Sequence, residues 1–266
     1  MQQRNHFPEV TLLVTTYNRS KSLQRLLSTF KSLEVSFGDV VVSDDGSKPQ
    51  HLAGIKALQS DFNFRLEAAE KNQGLGANIN KGQQAVTTPY TLYVQEDFEP
   101  LAGFLEHFTD ALSYMNTDSS LDLIRFYAYF KYPYTKPYGK GFSEMLFSAS
   151  PFANNHIKFY VYSDHPHLRR SSFLQKFGKY NTSVGSDEGE ARMALSFIKN
   201  GGKGLVFDQF NTVFEQVNTS DEPSTMERQN WRESRNPFFL AVRAIYLQAK
   251  LLSWTYKLLR TRKSGQ

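Results

Sequence analysis

Apolar runs and amphipathic stretches alternate along the first 120 or so residues of the chain. Residues 10–15 (VTLLVT) form a nearly continuous apolar run, which is typical of a strand buried on both faces. After residue 20 the apolar positions instead fall three and four residues apart, on one face of a helix: Leu23, Leu26, Leu27 and Phe30. This alternation predicts an α/β fold whose parallel strands are joined by right-handed helical crossovers.

The same reasoning places the remaining elements. Strands are predicted at residues 39–43, 64–68 and 90–95, and helices at 50–58, 75–86 and 104–115. Beyond residue 121 the pattern changes to a strand at 123–130 and a loop or hairpin over a site at 132–150. The prediction ends with a glycine-capped helix at 186–200, short strands at 205–207 and 212–216, and a long helix at 236–259.

The chain of 266 residues is long enough for one α/β domain with an appendage, and its charge is unevenly placed. Residues 234–266 carry seven Lys and Arg and no acid, which leaves 24 basic against 26 acidic residues in the rest of the chain. This slightly acidic body argues against a nucleic acid partner. The basic tail is expected either to meet an anionic surface or to form a solvated helix face.

Two compositional features exclude further classes of protein. The sequence has no cysteine, which excludes disulfide scaffolds, thiolate metal sites and cysteine nucleophiles. Its opening residues lack the apolar region of a secretory signal, and the chain has no apolar run of about 18 residues that would span a membrane. A cytoplasmic protein is therefore expected.

Polar segments follow three of the predicted strands, at residues 15–19 (TTYNR), 44–47 (DDGS) and 95–97 (QED). Ligands bind outside the carboxyl ends of the strands in an open parallel sheet, so these segments are expected to meet at one site. Asp44 and Asp45 can accept hydrogen bonds from a base or a ribose, and Tyr17 offers an aromatic face. Their shared edge predicts a nucleotide site, although each segment alone is also typical of a turn, a helix cap or packing.

A glycine-rich segment, residues 72–82 (NQGLGANINKG), lies between the third strand and its helix. Small residues let a ligand approach the backbone there, and a helix N-terminus favours an anion, so we expect a pyrophosphate nearby. The spacing differs from both a dinucleotide fingerprint and a phosphate loop. An ordinary strand-to-helix turn is therefore the alternative.

Two groups of acids are candidates for chemistry. Glu96 and Asp97 are hard oxygen ligands of the kind that holds Mg²⁺ or Mn²⁺ against a departing diphosphate, or else a solvated pair at a helix start. Asp187, Glu188 and Glu190 lie in the first turn of a predicted helix, where the helix dipole alone can account for them. If that turn faces the site, one of the three can take a proton from an acceptor hydroxyl.

Taken in order, these segments resemble the family 2 glycosyltransferases of the GT-A fold over residues 10–202. The resemblance implies a Rossmann-like, mostly parallel sheet flanked by helices within residues 1–233, with a nucleotide-binding half (1–120) and an acceptor half (121–233). Residues 234–266 would add a basic amphipathic helical tail. The implied reaction is inverting transfer of a sugar from a nucleotide-sugar donor, with a UDP-sugar expected. The acceptor would be a hydroxyl of a glycan or lipid-linked molecule in surface polysaccharide or glycoconjugate synthesis.

The resemblance also implies roles residue by residue. The nucleotide would be held by the following residues: Thr15, Tyr17, Asp44, Asp45, Asn72, Gly74, Asn80, Lys81 and Glu96. Asp97 matches the last, metal-binding aspartate of the family's Asp-x-Asp motif, in which Gln95 replaces the first, so Mn²⁺ or Mg²⁺ is the expected cofactor. Glu188 is the first choice for the catalytic base and Asp187 the second. Glu190 stays open because the spacing to the following glycine is imperfect.

Departures from the family keep other interpretations open. Gln95 and the lack of any histidine after His167, with Gln216 as a replacement, also fit a non-catalytic binding or scaffold subunit. A nucleotidyltransferase is a further alternative, but the glycine-rich basic signature is missing after the first strand. Residues 164–167 (DHPH) are expected to be polar loop residues rather than a metal cluster. The tail is expected to contact a membrane surface, its own domain or a second subunit.

Overall fold

The computed structural model describes residues 5–150, 152–222 and 237–263 of the chain. Its strands are β1 (His6–Thr16), β2 (Ser36–Asp44), β3 (Arg65–Ala68), β4 (Tyr90–Gln95), β5 (Phe98–Pro100), β6 (Leu123–Arg125), β7 (Thr135–Gly139), β8 (Phe142–Met145), β9 (His167–Arg170), β10 (Gly204–Phe207) and β11 (Phe214–Gln216). Its helices are α1 (Ser20–Ser32), α2 (Pro49–Ala57), α3 (Leu75–Gln84), α4 (Phe104–Thr117), α5 (Phe173–Phe177), α6 (Ser186–Lys199) and α7 (Pro237–Arg260), with 3-10 turns at Leu58–Ser60 and His156–Phe159.

Nine of these strands form one sheet in the order β3-β2-β1-β4-β9-β6-β10-β8-β7. β1 pairs in parallel with β2 and β4, and β2 with β3. β9 lies antiparallel between β4 and β6, whereas β6 runs parallel to β10. β8 is antiparallel to both of its neighbours, so only β8 and β9 oppose the direction of the other strands in this sheet. The expected mostly parallel sheet flanked by helices is confirmed.

Both faces of the sheet are buried, as the apolar run of β1 requires. Successive side chains of a strand point to opposite faces, and Leu12 packs on one side of the sheet while Leu13 packs on the other. The first side is covered by α1 and α4, whose Phe30 and Phe104 rings meet edge to face at 5.3 Å. The second side is covered by buried residues of α3, α5 and α6: Ile79, Phe173, Phe177 and Phe197. Two helical layers thus hold the strand ends in place.

Three elements differ from the sequence prediction. β5 occupies residues 98–100, where a helix start was expected, and pairs with β11 in a separate two-stranded sheet. The strand expected at 123–130 ends already at Arg125. β9 was not predicted, and its first residue, His167, is the last of the four expected to lie in a loop; its buried Arg169 finds an internal acceptor, Gln83 Oε1, at 2.7 Å. A polar strand is tolerated inside a protein when its charges are hydrogen-bonded there.

The predictions for α6 and α7 agree with the structure. α6 is followed by Gly201 in the left-handed region (φ +66°), and Gly202 N–H donates to the Phe197 carbonyl at 2.8 Å, so the predicted glycine cap is present. α7 begins at Pro237, while residues 234–236 and 264–266 of the predicted tail lie outside the described residues. Within the described ranges, no helix combines the length and the apolarity needed to cross a membrane.

One face of α7 packs on the rest of the chain. The Trp254 ring lies 5.4 Å from that of Phe159 and 5.3 Å from that of Tyr160, centroid to centroid. Lys250 Nζ donates to the Tyr160 hydroxyl at 2.8 Å. One of the contacts expected for the tail is therefore present: α7 packs on the domain that precedes it.

Candidate active site

The carboxyl ends of β1, β2 and β4 lie side by side. Thr15 is opposite Ser43 of β2 and Gln95 of β4, and Thr16 is opposite Asp44. The central position of β1, hydrogen-bonded to both neighbours in parallel, produces this alignment. The three polar segments that the sequence analysis singled out therefore meet at one edge of the sheet.

Asp44 and Asp45 hold the loops at this edge. The fully buried Asp44 carboxylate accepts hydrogen bonds from the Ser47 N–H, at 2.9 Å, and from the Ser47 hydroxyl. The Asp45 carboxylate accepts from the N–H groups of Gln73 and Gly74, both at 2.9 Å. Burial raises the pKa of Asp45, against the lowering effect of these two hydrogen bonds. Both side chains fix loop geometry, and their contact with a nucleoside stays a prediction.

The glycine-rich loop is open on one side. Gly74 adopts φ +88°, and a Cβ built there would meet nothing within 4 Å. Asn72 Oδ1 accepts a hydrogen bond from Gly74 N–H at 3.2 Å. Behind the loop, the Lys81 ammonium donates to the Asp44 carbonyl, and burial lowers its pKa. An open backbone beside a cation is an arrangement that suits an anion.

The other residues expected to bind the nucleotide differ in exposure. Thr15 is buried, and its hydroxyl lies 3.0 Å from that of Tyr93. Asn80 is also buried, and its side-chain amide makes two 2.9 Å hydrogen bonds with the backbone of Tyr180. Tyr17 keeps part of its surface exposed. Of these three side chains, Tyr17 is therefore the one that can reach a base without rearrangement.

Arg19 joins the two acids that follow β4. Its Nη1 lies 3.3 Å from Asp97 Oδ2 and 3.6 Å from Glu96 Oε1, with all three side chains at most 11% exposed. Burial and the neighbouring Asp97 raise the pKa of Glu96 to about 8, so Glu96 is mainly protonated at neutral pH and Arg19 pairs chiefly with Asp97. Arg19 Nη2 donates to Asn218 Oδ1 at 2.7 Å and to the Glu222 carbonyl at 2.9 Å. The segment after β11 thus helps to fix this guanidinium.

β11 brings a further polar side chain to Asp97. Gln216 Nε2 donates to Asp97 Oδ2 at 2.8 Å, and Val217 N–H donates to the Asp97 carbonyl at 2.7 Å. The structure therefore places Gln216 beside the aspartate of the expected metal motif, where the sequence analysis suggested it as the replacement for a histidine.

Three buried polar atoms at this edge have no hydrogen-bond partner within the described residues: Thr16 Oγ1, Arg19 Nε and Asp97 Oδ1. Buried polar groups are normally paired, so these atoms mark a place for a ligand. Asp97 Oδ1 suits a hard cation, and Mg²⁺ often takes only one or two carboxylates when phosphates complete its shell. The described ranges contain no group of three metal-binding side chains, so an ion at Asp97 would need further ligands from outside the protein.

Two of the three acids at the start of α6 are exposed or partly exposed. Glu188 is bound by Lys257 of α7 at 2.8 Å and by Arg192 of its own helix at 3.0 Å, and both cations lower its pKa. Asp187 is exposed. Glu188, the first choice for the base from the sequence, is thus held against α7 with its charge balanced.

Glu190 turns toward the strand ends instead. Its Oε1 accepts a hydrogen bond from Asp164 N–H at 2.9 Å, and Gln95 Nε2 at the end of β4 donates to the Asp164 carbonyl at 3.0 Å. Burial and the neighbouring Asp164 raise the pKa of Glu190 to about 8. A general base works best with a pKa near the working pH, so Glu190 has an environment that suits a base, and the choice among the three acids stays a prediction.

A cavity of about 70 Å³ separates the first turns of α3 and α6. Its walls include residues 73–77 of the glycine-rich loop, Asp164, Tyr180 and Gly189. The Asp164 carboxylate accepts hydrogen bonds from the Tyr162 hydroxyl, at 2.9 Å, and from the Tyr180 hydroxyl. The glycine-rich loop and this buried carboxyl therefore open onto the same space.

Sequence reasoning missed two residues of the site. Arg19 belongs to the first polar segment, and its place directly after a buried strand was a usable signal. Asp164 looked like a loop residue, and no local pattern distinguishes it, because its partners come from β4 and α6.

The fold and its polar edge define a GT-A glycosyltransferase architecture. Residues 11–178 match the Glycosyl transferase family 2. This match covers more than half of the chain, and the chain belongs to that family.

Two curated relatives match parts of the chain. A segment of 100 residues (37% of the chain) is 25% identical to the GalNAc(5)-diNAcBac-PP-undecaprenol β-1,3-glucosyltransferase of Campylobacter jejuni. A segment of 88 residues (33%) is 25% identical to the poly-β-1,6-N-acetyl-D-glucosamine synthase of Staphylococcus epidermidis. The aligned segments span 32% and 21% of these two relatives, about a third and a fifth of their lengths.

Solved structures share the fold over almost the whole chain. S. aureus TarS 1–349 in complex with UDP-GlcNAc superposes with a TM-score of 0.61 at 17% identity, covering 94% of this chain and 71% of TarS 1–349. The mannosyltransferase PcManGT from Pyrobaculum calidifontis, in complex with GDP-Man and Mn²⁺, gives a TM-score of 0.56 at 13% identity, covering 97% and 67%. At these identities the likeness shows the fold.

Proposed function

We propose that the chain is an inverting glycosyltransferase that moves a sugar from a nucleoside-diphosphate donor, a UDP-sugar, to an acceptor hydroxyl. The acceptor is a glycan or a lipid-linked molecule in the synthesis of a surface polysaccharide or glycoconjugate. The observation that carries the proposal is the set of buried, unpaired polar atoms beside Asp97, at the edge where a GT-A sheet binds ligands. The relatives that act on undecaprenol-linked or polymeric sugars support the acceptor class.

In this mechanism Glu190 takes the proton of the acceptor hydroxyl. The acceptor oxygen bonds to the anomeric carbon as the bond from that carbon to the diphosphate breaks, so the configuration is inverted in one displacement. Asp97 would hold Mn²⁺ or Mg²⁺, whose chemistry when bound is to neutralise the charge that develops on the diphosphate. Arg19 keeps Asp97 oriented through its 3.3 Å contact.

The nucleoside is assigned to the cleft between β1, β2 and the glycine-rich loop. Tyr17 stacks on the base, and the loop around Gly74 approaches the diphosphate with its open backbone side. The other members of the predicted set act by holding these groups: Thr15, Asp44, Asp45, Asn80 and Glu96, which are buried, Lys81, which is half-buried, and Asn72, which is exposed. UDP-GlcNAc in TarS supports a uridine nucleotide for this chain.

Calorimetric titration with UDP, GDP and dTDP, each with and without Mn²⁺, tests this proposal. We expect UDP to bind, with an affinity that rises at least about tenfold when Mn²⁺ completes the site. Tyr17→Ala should weaken UDP binding about tenfold, by the loss of one stacking contact. Asp61→Asn, at an exposed aspartate, is the control. A chain that binds none of the three nucleotides is not a nucleotide-sugar transferase.

A non-catalytic scaffold subunit is the second candidate. The observation in its favour is that Arg19 already neutralises the aspartate that would hold the metal. Nucleotide binding without any turnover of a panel of UDP-sugars, with and without Mn²⁺, would support this candidate against the enzyme.

We also propose that the outward face of α7 contacts an anionic membrane surface. While Trp254 packs inward, Leu252, Tyr256 and Leu259 are 70%, 57% and 73% exposed. These apolar residues recur three and four positions apart and are followed by exposed basic residues: Arg260, Arg262 and Lys263. An apolar stripe beside cations is typical of an interfacial helix.

Vesicle flotation tests the membrane contact. Leu252→Ser combined with Leu259→Ser should lower binding to vesicles that contain anionic lipid at least about tenfold. The reason is that burying a leucine side chain in an apolar environment contributes a free energy of roughly 1.5–3 kcal/mol. Gln248→Ser with Thr255→Ser, at exposed positions of the same helix, is the matched control. Equal binding of both double variants, or equal binding to neutral vesicles, would contradict the proposal.

A further inference from the structure

An aromatic cluster lies beside the candidate active site. Its rings pack against one another with centroid separations between 4.6 and 6.5 Å: Phe98, Tyr127, Tyr129, Phe130 and His165. Phe98 is buried, whereas Tyr129 is 39% and Phe130 67% exposed. We call the two exposed rings, Tyr129 and Phe130, the aromatic platform.

Hydrogen bonds tie the platform to the carboxylate that follows β4. The Tyr129 hydroxyl donates to Gln216 Oε1 at 2.7 Å, and Gln216 Nε2 donates to Asp97 Oδ2 at 2.8 Å. The amide of Gln216 is thereby fixed in orientation. The Tyr129 ring is held two hydrogen bonds away from Asp97.

The other side of the platform adjoins the proposed base. The Tyr129 ring stands at 88° to the His165 ring, with the centroids 4.6 Å apart. His165 directly follows Asp164, whose N–H is hydrogen-bonded to Glu190. The platform is therefore hydrogen-bonded to Asp97 through Gln216, and it packs on the residue that follows the partner of Glu190 in the sequence.

The chemistry of this surface suits a sugar ring. A pyranose presents a face of C–H bonds, with its hydroxyls at the rim, and the faces of aromatic rings carry negative charge that attracts C–H groups. Exposed aromatic rings that are held in fixed orientation beside a cleft are typical of ligand-binding surfaces. The hydroxyls of a stacked ring remain free to reach a neighbouring base.

We propose that Tyr129 and Phe130 form a stacking subsite for a pyranose ring of the acceptor. This inference rests on the proposed glycosyl transfer and specifies its acceptor end: the group recognised next to the reacting hydroxyl is a sugar, whether or not a lipid follows it. The hydrogen-bonded link from Tyr129 through Gln216 to Asp97 carries the inference, because it holds an exposed ring next to the place proposed for the diphosphate, where the acceptor must be positioned for transfer.

Saturation-transfer NMR with simple glycosides tests the subsite without knowledge of the natural acceptor. The probes are the methyl β-glycosides of glucose, N-acetylglucosamine and galactose and methyl α-mannoside, each titrated with and without UDP. We expect at least one probe to receive saturation mainly on its C–H face. Tyr129→Ala and Phe130→Ala should each weaken its binding at least about fivefold, whereas Tyr129→Phe, which keeps the ring, should retain most of it.

Phe152→Ala is the matched control, since Phe152 is a 93% exposed ring outside the platform. Thermal melting of every variant shows whether it is folded. The subsite is refuted if the parent protein binds none of the four probes, or if Tyr129→Ala and Phe152→Ala behave alike. If UDP binds but no probe does, the stacking subsite is refuted and the proposed function stands. If no nucleotide binds, the proposed function itself is refuted.

Discussion

Replacing Glu190 by glutamine is expected to lower the rate of sugar transfer about 10²- to 10⁴-fold, the usual contribution of a general base. Glutamine keeps the size of the side chain and an oxygen that accepts the hydrogen bond from Asp164 N–H, but it cannot take a proton. Donor binding should therefore survive. Initial rates of UDP release in the presence of acceptor, together with calorimetric titration of UDP, measure both quantities.

Glu188→Gln is the matched control, because it makes the same chemical change two residues earlier on α6. It removes ion pairs with Arg192 and Lys257 that are partly exposed, and such pairs contribute little to stability. We expect a loss of less than about threefold in rate. A larger loss for Glu188→Gln than for Glu190→Gln would return the base to Glu188.

The pH dependence gives a second readout for the same residue. A base must be ionised to act. Burial and the negative charges of Asp164 and Asp187 raise the pKa of Glu190 to about 8, although the positive charge of Arg125 lowers it. The parent rate should therefore rise with pH up to that region and level off above it. The residual rate of Glu190→Gln should lack this rise.

The acids of α6 show how much of the site can be predicted from the sequence. The three acids were identified because they lie in the first turn of a helix, and the spacing of apolar residues that predicts this helix is a local signal. The buried face separates only one of them: Glu190 precedes the buried Ala194 by four positions and Asp187 precedes the buried Ala191 by four, whereas Glu188 precedes the exposed Arg192. That spacing was available from the sequence, but the choice between Glu190 and Asp187 needs the contacts of the folded chain.

Other parts of the site depend on contacts between distant segments. Asp97 was predictable because it directly follows a buried strand, whereas the partners of Arg19, Asn218 and Glu222, lie about 200 residues further along the chain. β9 was missed for the same reason, since the partner of Arg169 is Gln83 on α3. Polar residues buried by long-range partners carry no local signal of burial.

Replacing Asp97 by asparagine is expected to lower sugar transfer at least about 100-fold and to remove the effect of Mn²⁺ on UDP binding. Asparagine keeps the shape and an oxygen for the hydrogen bond from Gln216, but not the negative charge. Glu96 then loses its like-charged neighbour, so its pKa falls and it takes over the ion pair with Arg19. The loss of stability should therefore stay below the roughly 3–5 kcal/mol of an unpaired buried charge, as thermal melting can show.

Asp221→Asn is the matched control for this change, because Asp221 is 57% exposed and pairs with Lys21 at the surface. It should leave UDP binding and its Mn²⁺ dependence as they are in the parent protein. If Asp97→Asn keeps the Mn²⁺ dependence, the ion is not held by Asp97. If UDP binding is independent of Mn²⁺ in the parent as well, Arg19 is the cation that serves this edge of the sheet, and the scaffold candidate gains at the expense of a metal-assisted transferase.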